Sequence, residues 1–295
     1  MMYNSVTIAA KRRHIERKRV FFMKKFLALL CAMLMMVGCL AACGGNGDDT
    51  SSDASAPEVK SDLAYVKDKG TLVVGITDFA PMDYKDESGN WIGFDADMAK
   101  AFAAKLGVNV QFQLIEWNNK AFELEGKTID VVWNGMTLTD EVKAAMDCSN
   151  AYCNNQQIVI VKKEKAAQYQ TKDSVKGLKF AVEDGSAGEK QVAALGAQMI
   201  EVEDQATALT EVKSGTADAA VIDSLMAAAM VGEGTGYADL TYTVGLNDEE
   251  YGVGFRKGSD LVAELNQFFK DSYADGSMMT IAKKYGVQAS LIEQK

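Results

Sequence analysis

The stretch Ile129-Asp-Val-Val-Trp-Asn-Gly-Met-Thr-Leu-Thr139 decides how the rest of the chain is read. Ile129, Val131, Val132 and Trp133 form a short apolar run, the composition of a strand covered on both faces. Asn134-Gly135 interrupts the run and is expected at the strand's carboxyl end, with a helix beginning near Asp140. In open α/β sheets, ligands bind in the crevice beyond the carboxyl ends of strands. Asn134, the Gly135 backbone and the Thr137 hydroxyl are therefore expected to face a small polar ligand. The same residues also fit a plain strand-to-helix turn whose polar groups only cap the helix.

Upstream, Thr71–Ile76 is an apolar strand followed by the loop Thr77–Met82. Asp95 suits the cap of a helix that runs through Met98, Phe102 and Leu106 and stops at Gly107. Val108, Val110, Phe112 and Leu114 then alternate as a strand. This β-α-β-α-β order predicts a largely parallel sheet. Downstream, Ile158–Val161 and Leu178–Val182 are strands, and Glu183–Gly188 opens a helix through Val192 and Leu195. A strand at Met199–Val202, a helix over Ala206–Lys213 and a strand over Ala217–Ile222 follow, with Asp223 at the last strand's carboxyl end. Tyr251–Phe255 resumes strand character, and two helices finish the chain. Two similar α/β halves, one inserted into the other, account for the pattern.

The first sixty residues read differently. Residues 1–22 are polar and basic, and they fit an upstream start or a long charged leader. Met23-Lys24-Lys25 begins a second charged segment ahead of the apolar run Phe26–Cys43. A charged region, an apolar region and small residues before Cys43 make the layout of a secretory signal over 1–42. A retained transmembrane anchor is the competing reading, because the run could nearly span a bilayer. Leu40-Ala41-Ala42-Cys43 looks like a lipobox, which would make Cys43 a lipidated N-terminus. The Gly/Ser/Asp-rich residues 43–61 then serve as a flexible tether at the extracellular face of the membrane.

Charge and composition exclude several functions. Residues 1–42 carry eight Lys/Arg against one Asp/Glu, so their removal takes the chain from −10 to about −17. Such a surface argues against nucleic acid as a partner. His14, the one histidine, leaves with the signal. Without histidine there is no Ser-His or Cys-His nucleophile pair and no imidazole metal site. No metal and no cofactor are expected. Cys148 and Cys153 remain after cleavage, either joined as a disulfide or as two free thiols. Gly185-Ser-Ala-Gly-Glu-Lys190 lacks the spacing and the Ser/Thr of a phosphate loop, so it reads as the start of a helix.

A resemblance connects these pieces. Val74-Gly75 with Phe79–Met82, Gly93-Phe94-Asp95 with Asp97, and Ile129–Thr139 occur in order, followed by Ser149–Tyr152, Gly185-Ser186, Ala217–Ala219 with Asp223, and Tyr251–Arg256. From about Leu63 onward the chain resembles extracellular solute-binding proteins of the polar amino acid type, which feed ABC importers. The resemblance implies a two-lobed α/β periplasmic-binding-protein-like fold. It places lobe 1 over 62–157 and 252–295, lobe 2 over 163–243, and hinges near 158–162 and 244–251. It implies a monomer that captures an amino acid or analogue and hands it to importer membrane subunits. Phe79 and Trp117 match ligand-stacking aromatics, Ser186 and Ala187 an anion-binding helix start, and Asp223 the acid that pairs with an α-ammonium.

One position departs from the family pattern. An arginine that forks the ligand carboxylate usually stands where this chain has Val142. Lys143 is one step round the helix, about 100° away. Lys120, Lys143 or Lys190 is expected to compensate, or the ligand has no carboxylate there. Two other classes fit the same fold. One is a dehydratase-like enzyme using Glu183, Asp184 and Lys190, although no residue spacing points to that chemistry. The other is a sensing domain for a signalling partner, which ordinarily goes with fused transmembrane and cytoplasmic modules.

Overall fold

The computed structural model describes residues 61–295. The signal, Cys43 and the tether up to residue 60 lie outside the described residues. Among the described residues, no helix is long and apolar enough to cross a membrane.

The helix Asp62–Lys69 is capped by the Ser61 side chain and closed by Gly70 in a left-handed conformation. It delivers the chain to β1 (Thr71–Ile76), whose residues from Leu72 on are all buried. A small hairpin, β2 (Tyr84–Lys85) and β3 (Trp91–Ile92), precedes the helix Phe94–Leu106. β4 (Asn109–Leu114) and β5 (Val131–Thr137) then pair in parallel on either side of β1. After the short helix Asp140–Ala145 come β6 (Asp147–Cys148) and β7 (Cys153–Asn155).

The second lobe opens with β8 (Gln157–Lys162), followed by β9 (Lys179–Glu183), β10 (Gln198–Val202), β11 (Ala219–Asp223) and β12 (Leu240–Gly245). Its sheet has the order β10-β9-β11-β8-β12, with the first three parallel and the last two antiparallel to their neighbours. β13 (Glu249–Phe255) returns to the first sheet, whose order is β4-β1-β5-β13-β6 with β7 also on β13. The parallel strands at the centre of each sheet read as unbroken apolar runs because helices cover both faces.

Lobe 1 packs around an aromatic cluster. Trp133 lies edge-on to Phe102 at 6.3 Å and to Phe269 at 5.6 Å, tying β5 to the helices Phe94–Leu106 and Leu261–Ala274. Lobe 2 has its own core around Val159, Phe180, Val182, Val192 and Val221.

Four expectations change. First, β5 does not end at Asn134-Gly135. It continues to Thr137 because β13 pairs with it there, Gly252 opposite Met136 and Tyr251 opposite Thr137. Gly135 takes φ +52 inside the strand, and the ladder shifts register around it. A side chain there would strike Phe79, so both the φ and the packing require glycine.

Second, Asp95 is not a cap. The helix starts at Phe94, and the Asp95 carboxylate is buried beneath β5. Third, residues 158–162 lie wholly inside the second sheet. The outward passage between sheets falls at 155–157, upstream of the expected hinge, and the return falls at 246–248. The passages run side by side: the Leu246 N–H donates to the Gln157 carbonyl (2.8 Å), and the Gln157 N–H to Asn247 Oδ1 (3.0 Å).

Fourth, Cys148 and Cys153 are free thiols rather than a disulfide. They pair with Gly254 and Tyr251, three residues apart on the same edge of β13. That spacing is roughly 10 Å along a strand, beyond the reach of a disulfide. Burial also raises the Cys153 thiol pKa, so it stays protonated.

Candidate functional site

A cavity of about 270 Å³ lies between the lobes, bounded by the carboxyl ends of β1, β5, β9 and β11. All eight expected contact residues border it: Phe79, Trp117, Asn134, Gly135, Thr137, Ser186, Ala187 and Asp223. Their polar atoms are not equally available.

Several support the wall rather than face the interior. Asn134 Oδ1 accepts from the Thr77 N–H (3.0 Å) and hydroxyl (2.7 Å), and its Nδ2 donates to Asp83 (2.8 Å). The Gly135 N–H donates to Asp95 Oδ2 (2.7 Å), which also accepts from the Tyr152 hydroxyl (2.7 Å). Burial pushes Asp95 up to about 7. The Thr137 hydroxyl donates to Glu249 (2.9 Å). Phe79 stands edge-on to Tyr251 with centroids 6.4 Å apart.

Asp223 is held differently. It ends β11 at 3% exposure and takes the N-cap position of the helix Ser224–Met230, but its side chain makes no capping bond to that helix. Oδ1 accepts from Asn155, from Gln157 (3.0 Å) and from the Tyr251 hydroxyl (2.6 Å), and Oδ2 accepts from Gln205. The backbone N–H of Asp223 in turn donates to Gln205 Oε1 (2.9 Å). Burial, reinforced by the Glu249 carboxylate, pushes Asp223 up to about 7. The carboxyl is oriented by three neutral amides and a phenol, with no cation among its partners and Oδ2 accepting a single bond.

Across the cavity, Ser186 Oγ accepts from the Glu189 N–H (3.1 Å) and caps the helix Ala187–Leu195. Ser186 and Ala187, at the start of this helix, both border the cavity. Trp117 borders the cavity, with Lys120 Nζ 4.7 Å from its ring centroid.

Of the lysines expected to compensate for Val142, Lys120 is placed best. Its Nζ donates to the carbonyls of Trp117 (3.0 Å) and Gly185 (3.1 Å), and burial lowers it to about 8. Lys190 pairs with Glu141, and Lys143 does not border the cavity. Val142 itself borders the cavity.

The lobes touch across the cleft mouth. Lys120 reaches Gly185, Lys190 reaches Glu141, and Asn118 Nδ2 donates to Asp184 Oδ2 (3.1 Å). A Cβ on Gly185, at φ +72, would lie 2.7 Å from Asn118 Cα, so glycine permits this approach.

Sequence reasoning missed Asn155, Gln157, Gln205 and Tyr251. Their one signal was polar character at positions the pattern makes buried. Asp184, Glu189 and Glu201 bring carboxylate oxygens within 4.8 Å of one another. Glu189 already accepts from the Gly185 N–H (2.7 Å) and Asp184 from Asn118, so this acidic group gives no independent sign of a metal.

Residues 72–288 match the family model described as bacterial extracellular solute-binding proteins, family 3. The chain belongs to that family. This solute-binding protein is 33% identical over 271 residues to the ABC transporter glutamine-binding protein GlnH of Bacillus subtilis, covering 89% of this chain and 97% of the relative. It is 31% identical over 272 residues to the arginine-binding extracellular protein ArtP of the same organism, covering 89% and 98%. Among solved structures it is similar to a mutant of ArgBP from T. maritima, with 31% identity, a TM-score of 0.72, and coverage of 76% of this chain and 99% of that one.

Proposed function

We propose that this chain captures an amino acid between its lobes and delivers it to an ABC importer, held at the outer face of the cell membrane by lipid on Cys43. The observation that carries the reading is Asp223, a buried carboxyl without a cationic partner, fixed by four donors at the edge of a cavity. A ligand ammonium supplies the missing charge. Trp117 and Phe79 flank it, while Lys120 and the Ser186-Ala187 helix start receive the carboxylate. The relatives named for glutamine and arginine binding support the same ligand class.

The two strand passages at 155–157 and 246–248 act as hinges, and the ligand favours the closed arrangement by bridging both lobes. The importer's membrane subunits would then recognise the closed lobes. The lipid anchor is tested by Cys43→Ser, which is expected to move the protein from the membrane fraction to the medium.

A thermal-shift screen of the purified protein against the amino acids tests the central reading. A ligand that binds only the folded state at a hundredfold excess over Kd stabilises it by about 2.7 kcal/mol. A shift with one chemical class of amino acids is expected. Flat traces with every amino acid would contradict the proposal.

A further inference from the structure

We propose that Glu249, which does not border the ligand cavity, is a positioning residue for ligand binding: it holds the side-chain amides of both strand passages and through them fixes Asp223. This rests on reading Asp223 as the receptor of the ligand's ammonium. Glu249 opens β13 directly after the return passage at 246–248. Its carboxylate gathers four uncharged donors. Oε1 accepts from the Thr137 hydroxyl (2.9 Å), Asn155 Nδ2 (2.7 Å) and Gln157 Nε2 (2.8 Å), and Oε2 accepts from Asn247 Nδ2 (2.8 Å). These donors lie on β5, on the outward passage and on the return passage. One carboxylate therefore ties both hinges to the sheet of lobe 1.

Two of the donors are shared with the cleft. An amide NH2 group carries two protons. In Asn155 and in Gln157 the same nitrogen that donates to Glu249 Oε1 also donates to Asp223 Oδ1. Neither amide can turn over, because its oxygen would then face two carboxyls. The other end of Asn155 is occupied as well, since its Oδ1 accepts from the Ser224 hydroxyl (2.9 Å). Tyr251, two residues along β13 and so on the same face as Glu249, supplies a further donor to Asp223 Oδ1 (2.6 Å).

A ring of bonds closes around the hinges. The Gln157 N–H donates to Asn247 Oδ1, Asn247 Nδ2 donates to Glu249, and Gln157 Nε2 returns to Glu249. The ring forms only when the outward and return passages lie at one spacing. Asp223 belongs to the sheet of lobe 2 and Glu249 to that of lobe 1, so the shared amides brace one lobe against the other. Without the Glu249 carboxylate, both amides lose an acceptor and Asn247 is released. The Asp223 carboxyl is then no longer aimed by a fixed set of donors.

Isothermal titration of the purified full chain with L-glutamine and L-arginine, the amino acids named for its relatives, tests the inference. For whichever binds the wild type, Glu249→Ala is expected to weaken binding by about tenfold, within the range of coupling between residues of one network. Glu249→Gln keeps one carbonyl oxygen for the amides and is expected to lose less. In an Asp223→Asn background the effect of either substitution should shrink to within about twofold, because Glu249 acts through that carboxyl. Circular dichroism checks that each variant folds, and if the alanine variant does not, the glutamine variant decides the cycle. A folded Glu249→Ala protein with wild-type affinity, or equal losses with and without the Asp223 carboxyl, would overturn the inference while leaving the amino acid site intact. Binding of neither amino acid to the wild type would overturn both.

Discussion

Lobe 1 and the cleft each bury a pair of acids, and the two pairs serve different ends. Asp83 and Asp95 lie behind β5, completely buried, and neither borders the cavity. Their best-placed oxygens are already engaged with Asn134, the Gly135 N–H and Tyr152. Burial, with Asp95 nearby, raises Asp83 well above the usual carboxylate range, so this pair retains a proton, as the cleft pair also tends to. Asp223 and Glu183 are almost equally buried but open onto the cavity. Burial alone does not separate a scaffold acid from a receptor acid. What separates them is position, since only Asp223 and Glu183 border the cavity.

The largest effect expected from this contrast is on stability. Asp95→Ala leaves the Gly135 N–H and the Tyr152 hydroxyl without their acceptor inside lobe 1. Chemical denaturation should show a loss of about 2–5 kcal/mol, from about 1–3 for each of the buried donors left unpaired. A loss below 1 kcal/mol would mean the lobe 1 pair is not a scaffold.

The pH dependence should run in opposite directions for folding and binding. Asp95 and Asp223 near 7 and Glu183 near 8 all lie above their unfolded values, so the folded state binds more protons between about pH 4 and 8. The stability of the ligand-free protein contributed by these groups is fully present below about pH 4 and is lost as pH rises through 7 to 8. Surface acids held low, such as Asp97 and Asp147, contribute stability that is lost at the acid end instead. Binding of an ammonium needs an ionised Asp223, so affinity should fall by up to about tenfold, or 1.4 kcal/mol, per pH unit below 7. Melting temperatures and titrations from pH 5 to 8 read both trends.

Two smaller effects probe closure. Gly185→Ala must hold a left-handed backbone and approach Asn118, so ligand binding should weaken by about 1–2 kcal/mol. Lys190→Ala removes a lobe-to-lobe ion pair whose side chains are largely solvated, and the change should stay within about 1 kcal/mol. A larger loss from Lys190→Ala than from Gly185→Ala, by calorimetry, would reverse the roles given to these contacts.

The fold was legible where the signal is local. Apolar runs at Thr71–Ile76 and Ile129–Trp133 and the alternating helices implied two α/β halves, and Asp223 stands at the strand end where the pattern put it. Long-range pairing was not legible. The extension of β5 through Gly135 depends on β13, more than a hundred residues away. Asp95 fits a cap by its position in sequence, yet its partners are Gly135 and Tyr152. The choice between a disulfide and two free thiols was not legible for a related reason, since only the register on β13 shows that the two thiols are separated. Within the site, the strand-end residues were visible. The amides of Asn155, Gln157 and Gln205 were not, because glutamine and asparagine carry no periodic signature until a buried carboxyl is known to need them.

The most direct measurement is calorimetric titration of wild type and Asp223→Asn with the ligand found in the amino acid screen, alongside the melting temperature of each ligand-free protein. The substitution keeps the side chain's shape and removes its charge. Affinity is predicted to fall by at least about thirtyfold, roughly 2 kcal/mol or more, with the ligand-free melting temperature within a few degrees of wild type. An Asp223→Asn protein that binds the ligand as tightly as wild type would contradict the assignment of this buried acid as the ammonium receptor.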